Sequence, residues 1–306
     1  MSEFIKRMGH VALHVPDLEA SVTWATLVMG LREVERTDGV SYLTHADCHH
    51  SLQLIASTCS GLDHIAMEAH DEAAVEDLTD RLRREGVRIL SDAPQEPGLA
   101  AAVRFEGPEG HVFEVFSGMT SDAIVHTGSG VQPRKFGHPT LTAVDVHALR
   151  DFVVELLDFR LSDDIGDGTL VFLRCAVDHH GLGIVRSRVA GLHHYAWEVE
   201  SLAMLGQLGD VLARNAGAFI WGPGRHGAGN NLFTYHFDPA GAVVEYYADL
   251  YQVWDESSYQ PGRWSLEDGR AENLWGPRGP EELMEVATPL VGRAVTTSDA
   301  REGQRP

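Results

Sequence analysis

Residues 177–199 read VDHHGLGIVRSRVAGLHHYAWEV, and residues 47–69 read DCHHSLQLIASTCSGLDHIAMEA. A histidine doublet, a short apolar run, a small-residue turn and a second apolar run with a central histidine recur in one order, which marks an internal duplication. Outward from that pair, GHVALHVPDLEASV from Gly9 matches GHPTLTAVDVHALR from Gly137, and GPEGHVFEVF from Gly107 matches DPAGAVVEYY from Asp238. The halves lie near residues 6–117 and 135–249.

Each half divides again. GLDHIAMEA reads as a strand, DEAAVEDLTDRLRREG carries Ala74, Val75, Leu78 and Leu82 at helical spacing with Gly86 as its stop, and VRILS, AAVRFEG and HVFEVFSG read as three short strands. The same βαβββ order fits residues 9–57, 137–186 and 191–248, with Asp17, Asp145 and Ser201 as helix N-caps. The expected fold class is α+β: two tandem domains, each of two βαβββ modules forming a cupped, barrel-like sheet. The boundaries are 1–117 for the first domain, 118–134 for a Gly/Ser/Thr-rich linker, 135–253 for the second domain and 254–306 for a polar, Pro/Gly-rich tail. From about Gly292 to Pro306 the tail is expected to be disordered.

Composition narrows the function. The 306 residues are 43% hydrophobic, enough for a real core, and carry 24 Lys plus Arg against 45 Asp plus Glu, a net charge of −21. That balance argues against nucleic acid and anionic lipid as partners. Cys48, Cys59 and Cys175 are scattered without CxxC spacing, the N-terminus has no apolar signal core, and no run approaches the roughly 18 apolar residues of a membrane span. A reducing, cytoplasmic setting is expected.

Registering the halves sorts the 17 histidines. His10 falls on His138, His64 on His194 and Glu114 on Glu245, with separations of 54 and 50 residues (10 to 64 to 114) and 56 and 51 (138 to 194 to 245). Each sits at an equivalent point of a strand, so a curled sheet brings all three to its inner face. A strand histidine taken singly is more often a hydrogen-bonded core residue than a ligand. A registered, duplicated set of two imidazoles and one carboxylate instead predicts a facial triad with open positions, suited to non-haem Fe(II). Glu245 interrupts the apolar run Ala242, Val243, Val244, and a buried carboxylate there needs a compensating charge.

At this point the chain resembles the two-domain extradiol ring-cleaving dioxygenases of the vicinal oxygen chelate superfamily over roughly residues 7–256. The residues that carry the resemblance are Gly224, Arg225 and His226, then Asn230 or Asn231, Tyr235 four residues before Pro239, and Glu245 six after it. The LHHYAWEV strand points to His194 rather than His193 as the second ligand, and DHHGLGIV supplies a catalytic histidine, His180, with His179 its neighbour. The resemblance implies that a catechol and O2 react at Fe(II), ahead of Mn(II), held by His138, His194 and Glu245. It further implies that the ring opens beside the diol to a semialdehyde, and it favours a homo-oligomer. Within it, His180 is the acid–base residue, Tyr235 donates a hydrogen bond to a substrate oxygen, and His226 contacts the substrate or the oxygen near it. As plain structure, Tyr235 is a strand aromatic and His226 an exposed turn residue.

The first half departs from this pattern. His10, His64 and Glu114 remain and His50 matches His180, yet Arg104 stands where Tyr235 does and QEPGLA lacks a GRHG counterpart. The first triad therefore reads as a remnant of duplication, with Arg104 placed to pair with Glu114. The pocket is expected from among Val171, Phe172, Leu173, Trp197, Trp221 and Tyr251, of which strand alternation turns only some inward, and this suits an apolar ring; a tail arginine such as Arg263 would reverse that preference. Two alternatives keep the fold and change the function: a glyoxalase-like metal isomerase, and a non-catalytic small-molecule-binding protein.

Overall fold

The computed structural model describes residues 1–121, 129–267 and 269–292. The first module is β1 (Ile5–Val15), α1 (Leu18–Leu27), β2 (Arg32–Thr37), β3 (Val40–Thr44) and β4 (Leu52–Ala56). The second is β5 (Gly61–Ala69), α2 (Glu72–Arg84), β6 (Ile89–Ser91), β7 (Ala101–Glu106) and β8 (Val112–Ser117). The third is β9 (Lys135–Ala143), α3 (Val146–Leu157), β10 (Arg160–Ile165), β11 (Leu170–Arg174) and β12 (Leu182–Arg186). The fourth is β13 (Gly191–Glu198), α4 (Leu202–Arg214), β14 (Trp221–Arg225), β15 (Leu232–Phe237) and β16 (Val243–Ala248). Four βαβββ modules are thus present in the expected order.

Modules pair through their first strands. The first sheet runs β2-β3-β4-β1-β5-β8-β7-β6, and the second runs β14-β15-β16-β13-β9-β12-β11-β10. In each, the two first strands are antiparallel to one another and each is parallel to the last strand of its own module. The helices bury one stripe against the sheets: Leu78 and Leu82 of α2, Val146, Leu149 and Val153 of α3, and Leu205, Leu208 and Leu212 of α4. Each such side chain stabilises the fold by about 2 kcal/mol. Asp17, Asp71 and Asp145 cap their helices by accepting from the amides of Ala20, Ala74 and Ala148. Ser201 takes the N-cap position of α4 but makes no side-chain bond to it.

The tail beyond residue 253 folds back onto the second sheet. β17 (Gly262–Trp264) extends the edge beside β10, α5 (Glu281–Met284) follows, and β18 (Thr288–Pro289) pairs with β13. The expected disorder from Gly292 onward lies, apart from Gly292 itself, outside the described residues, as does part of the linker. No helix among the described residues is long and apolar enough to cross a membrane.

Candidate active site and metal centre

Strand register builds the site. His138 of β9 pairs with Ala196 of β13, Ala196 with Glu245 of β16, and Glu245 with Tyr235 of β15. Cross-strand partners point to one face, so these four side chains form a single row, and His194 joins them two residues before Ala196. Ala196 is small, which lets His138 and Glu245 meet across it, Nε2 to Oε2 at 3.0 Å. His194 Nε2 lies 3.3 Å from the same oxygen. Gly137 permits the row: a Cβ there would stand 2.1 Å from the Tyr247 hydroxyl, and one at Gly9 would stand 2.4 Å from the Phe116 ring. Glycine before histidine therefore lets the aromatic two residues beyond the glutamate pack behind the row.

The donor set fits a metal ion. His138, His194 and Glu245 are all buried, and their donor atoms lie within 4.8 Å of one another. Ligands at about 2.1 Å from an ion and at right angles to each other are about 3 Å apart, which is the spacing between Glu245 and each of the two histidines. His194 Nε2 and His138 Nδ1 have no hydrogen-bond partner. Glu245 is held well below the usual carboxylate range: burial opposes ionisation, but the facing His138, His194 and His226 outweigh it. Asn231 Nδ2 donates to Glu245 Oε1 at 3.2 Å, fixing the carboxylate from the far side. The amide, rather than that of Asn230, is the one at the centre.

Around the triad stand the other expected residues. Trp264 and Leu266 of the tail cover the β11 side, while on the opposite wall Trp221 stacks on Tyr235 and His226 meets both rings edge-on. His226 Nδ1 donates to the Glu272 carbonyl, so its Nε2 accepts from the Tyr235 hydroxyl at 3.1 Å. Burial, followed by the charge of Glu245, pushes Tyr235 well above its ordinary value, so it remains a donor. His180 lies against His138 with ring centroids 4.3 Å apart and stacks on Phe172. Burial, then His138 and His179, push it well below the usual imidazole range.

The pocket over these residues has a volume of about 660 Å³, including its open mouth. Phe172 and Trp221 line it as expected. Val171, Leu173 and Trp197 do not, since their strand parity turns them into the core, and Tyr251 lies outside it, 52% exposed. Sequence reasoning missed Ala271, Glu272, Leu283 and Met284 of the tail, which close the pocket, and His193, whose Nδ1 is 2.6 Å from His194 Nδ1. No periodicity in the tail signals that role. Arg263 is exposed on β17 and does not line the pocket.

A fold of paired βαβββ modules with a His/His/Glu row on one inner face defines the class, and the chain belongs to the glyoxalase/bleomycin resistance protein/dioxygenase superfamily, whose model matches residues 7–115 and 135–246. Its relatives narrow the kinship. It is 25% identical, over 92% of this chain and 96% of the relative, to the manganese-dependent 2,3-dihydroxybiphenyl 1,2-dioxygenase of Geobacillus genomosp. 3. It is 32% identical, over 65% of this chain and 59% of the relative, to metapyrocatechase 2 of Cupriavidus necator. The solved Mn(II)-bound glyoxalase from Novosphingobium aromaticivorans superposes with a TM-score of 0.86 at 28% identity, covering 98% of this chain and all of that one.

Proposed function

We propose that this chain is an extradiol dioxygenase that opens a catechol ring beside the diol with O2, using one divalent metal held by His138, His194 and Glu245, with Fe(II) as the resident ion. The observation that carries the reading is the row of His138, Glu245 and Tyr235 with His194 beside it. It offers a metal three protein donors while a neutral imidazole and a phenol stand ready on either side. When bound, the metal supplies a chelating site for both diol oxygens and room for O2 next to them. Manganese is the rival ion, because one relative is manganese-dependent and one neighbouring structure holds Mn(II).

The protein groups divide the remaining work. His180 takes the proton of one catechol hydroxyl, a task suited to a neutral imidazole. Tyr235 turns its O–H from His226 to the deprotonated substrate oxygen, and His226 stays anchored to the Glu272 carbonyl. Glu272, Leu283 and Met284 exclude water over the ring. The second half is the catalytic domain and the first half is not.

The substrate class follows from the wall. Among the described residues no lysine or arginine lines the pocket, which is mainly Ile165, Leu170, Phe172, Val185, Trp221 and Leu283 outside the polar row. A carboxylated catechol would bury its charge without a partner, so neutral catechols with an apolar substituent are the substrates.

The test is anaerobic purification with metal analysis, followed by O2 uptake and visible absorbance with catechol, 3-methylcatechol, 2,3-dihydroxybiphenyl and 3,4-dihydroxyphenylacetate. One metal per chain and a yellow ring-opened product from the neutral diols support the reading. Metal without O2 uptake across the panel would favour the isomerase, a reading that the likeness to a glyoxalase keeps in view. Neither metal nor turnover after Fe(II) or Mn(II) reconstitution would favour a binding protein.

A further inference from the structure

His180 does not stand alone. Its Nδ1 lies 3.0 Å from Nδ1 of His179, and His179 Nε2 lies 3.4 Å from Asp163 Oδ2. All three side chains are buried. Asp163 is fixed by the Gly262 amide on Oδ1 and by Trp264 Nε1 on Oδ2, both at 2.8 Å. A carboxylate accepts only, so even at this longer separation its charge favours the His179 tautomer that carries its proton on Nε2, as the shorter His49–Glu35 hydrogen bond does in the first half. His179 Nδ1 is then an acceptor, and His180 is left with its proton on Nδ1 and its lone pair on Nε2, the nitrogen free to face the pocket that the residue lines.

The first half holds the same chain of groups. Glu35 Oε2 lies 3.2 Å from His49 Nε2, and His49 Nδ1 lies 2.9 Å from His50 Nδ1. The registers agree: Glu35 pairs with Tyr42 and Asp163 with Phe172, each just past a bulge, and Tyr42 and Phe172 both pack on the inner histidine. There the outer nitrogen of the inner histidine is seen at work. His50 Nε2 donates to Glu96 Oε2 at 2.9 Å, since a carboxylate only accepts, so this contact matches the protonated, post-transfer form of the inner histidine; the same oxygen sits 3.0 Å from His10 Nε2. Transferred through the duplication, an oxygen beside His138 would lie within hydrogen-bond reach of His180 Nε2.

We infer that Asp163 and His179 are positioning residues that lock His180 as the Nδ1–H tautomer, with its Nε2 lone pair directed at the oxygen of a bound diol. The inference rests on the dioxygenase reading for its consequence: His180 Nε2 receives the hydroxyl proton and becomes imidazolium, the oxygen keeps the bonding pair, and the Nδ1 proton stays between the two imidazoles. The tautomer itself does not depend on that reading.

Two measurements test it. Long-range proton–nitrogen NMR of the metal-free, full-length protein, assigned with His179→Phe and His180→Gln, reads the ring tautomers directly. The Nδ1–H form of His180 is expected in the wild type, and the Nε2–H form after Asp163→Asn, whose amide can donate to His179. With a metal-loaded enzyme that cleaves catechols, Asp163→Asn and His179→Phe are each expected to lower kcat by at least about 100-fold with KM little changed, and Asp163→Glu to recover part of the loss. Thermal melting identifies any variant that fails to fold, and the other then decides. An Nε2–H tautomer in the wild type, or wild-type kcat in both folded variants, overturns the inference. A wild type that turns over no catechol defeats the dioxygenase reading, while the NMR result still decides the tautomer.

Discussion

The two halves of this chain carry nearly the same row of residues and surround it differently; in each, the donor atoms are close enough together to hold a metal ion. In the second half the row is His138, Ala196, Glu245 and Tyr235; in the first it is His10, Ala66, Glu114 and Arg104. One position in four differs, and it exchanges a phenol for a guanidinium. Arg104 Nη2 lies 2.7 Å from Glu114 Oε2, 2.7 Å from Glu96 Oε1 and 3.3 Å from His64 Nε2. Glu96, from the QEPGLA loop, puts its other oxygen between His10 and His50. A fixed cation thus stands among the groups that would ligate an ion, and a protein carboxylate fills the space that the second half leaves for a small molecule.

The largest expected effect comes from the carboxylates. Glu245→Gln should strip the metal on dialysis and lower kcat by at least about 1,000-fold, equivalent to roughly 4 kcal/mol of transition-state stabilisation. Glu114→Gln should leave metal content and kcat as they are. Its effect belongs to stability, about 3 kcal/mol by urea unfolding, because Arg104 then loses a buried partner. Equal metal loss in both variants would erase the proposed asymmetry.

Exchanging the fourth position sharpens the comparison further. Tyr235→Phe should retain the metal and lower kcat by about 100-fold, as expected for one donor lost from a developing oxyanion. Tyr235→Arg should retain none, since its guanidinium would pair with Glu245. The reverse exchange, Arg104→Tyr with Glu96→Ala, should raise bound metal from one to two ions per chain in Fe(II)- or Mn(II)-loaded protein. A count that stays at one would show that more than the cation disables the first half.

The smallest effect is one of pH. His64 is raised to about 9: burial lowers it, but the charge of Glu96 and hydrogen bonds to Asp63 and Glu96 outweigh that. Its ordinary value is 6.5, so its stabilising contribution is complete below about pH 6.5 and is lost as pH rises through about 9. In the second half, burial lowers His194 instead. Thermal melting of the metal-free protein should therefore show a fall in Tm between pH 7 and pH 10 that is reduced in His64→Gln. An equal fall in that variant would assign the alkaline loss to other groups.

Much of this was legible in the chain before folding. The duplication put His138, His194 and Glu245 in register with His10, His64 and Glu114, and strand parity then placed each set on one face, because a sheet repeats every two residues wherever it curls. The pairing of Arg104 with Glu114 follows from the same register. Pocket residues were harder: alternation allowed only some of Val171, Phe172 and Leu173 to face inward, and only the fold shows that Phe172 does while its neighbours turn into the core. The acid of the histidine relay had a signal, because Glu35 and Asp163 occupy matched strands, but an acidic strand residue alone reads as solvent-facing.

The sequence by itself determined the modules, their duplication and the candidate metal-ligand set, all properties of local periodicity and of spacing repeated along the chain. Only the tertiary structure decided which oxygen enters the first site, which tail residues close the second, and which carboxylate approaches His179. Glu96, Glu272 and Asp163 each act on groups far away in the chain, through contacts set by loop paths and edge pairing. Such contacts leave no period in the sequence, because one hydrogen bond across a folded pocket constrains distance in space and not position along the chain.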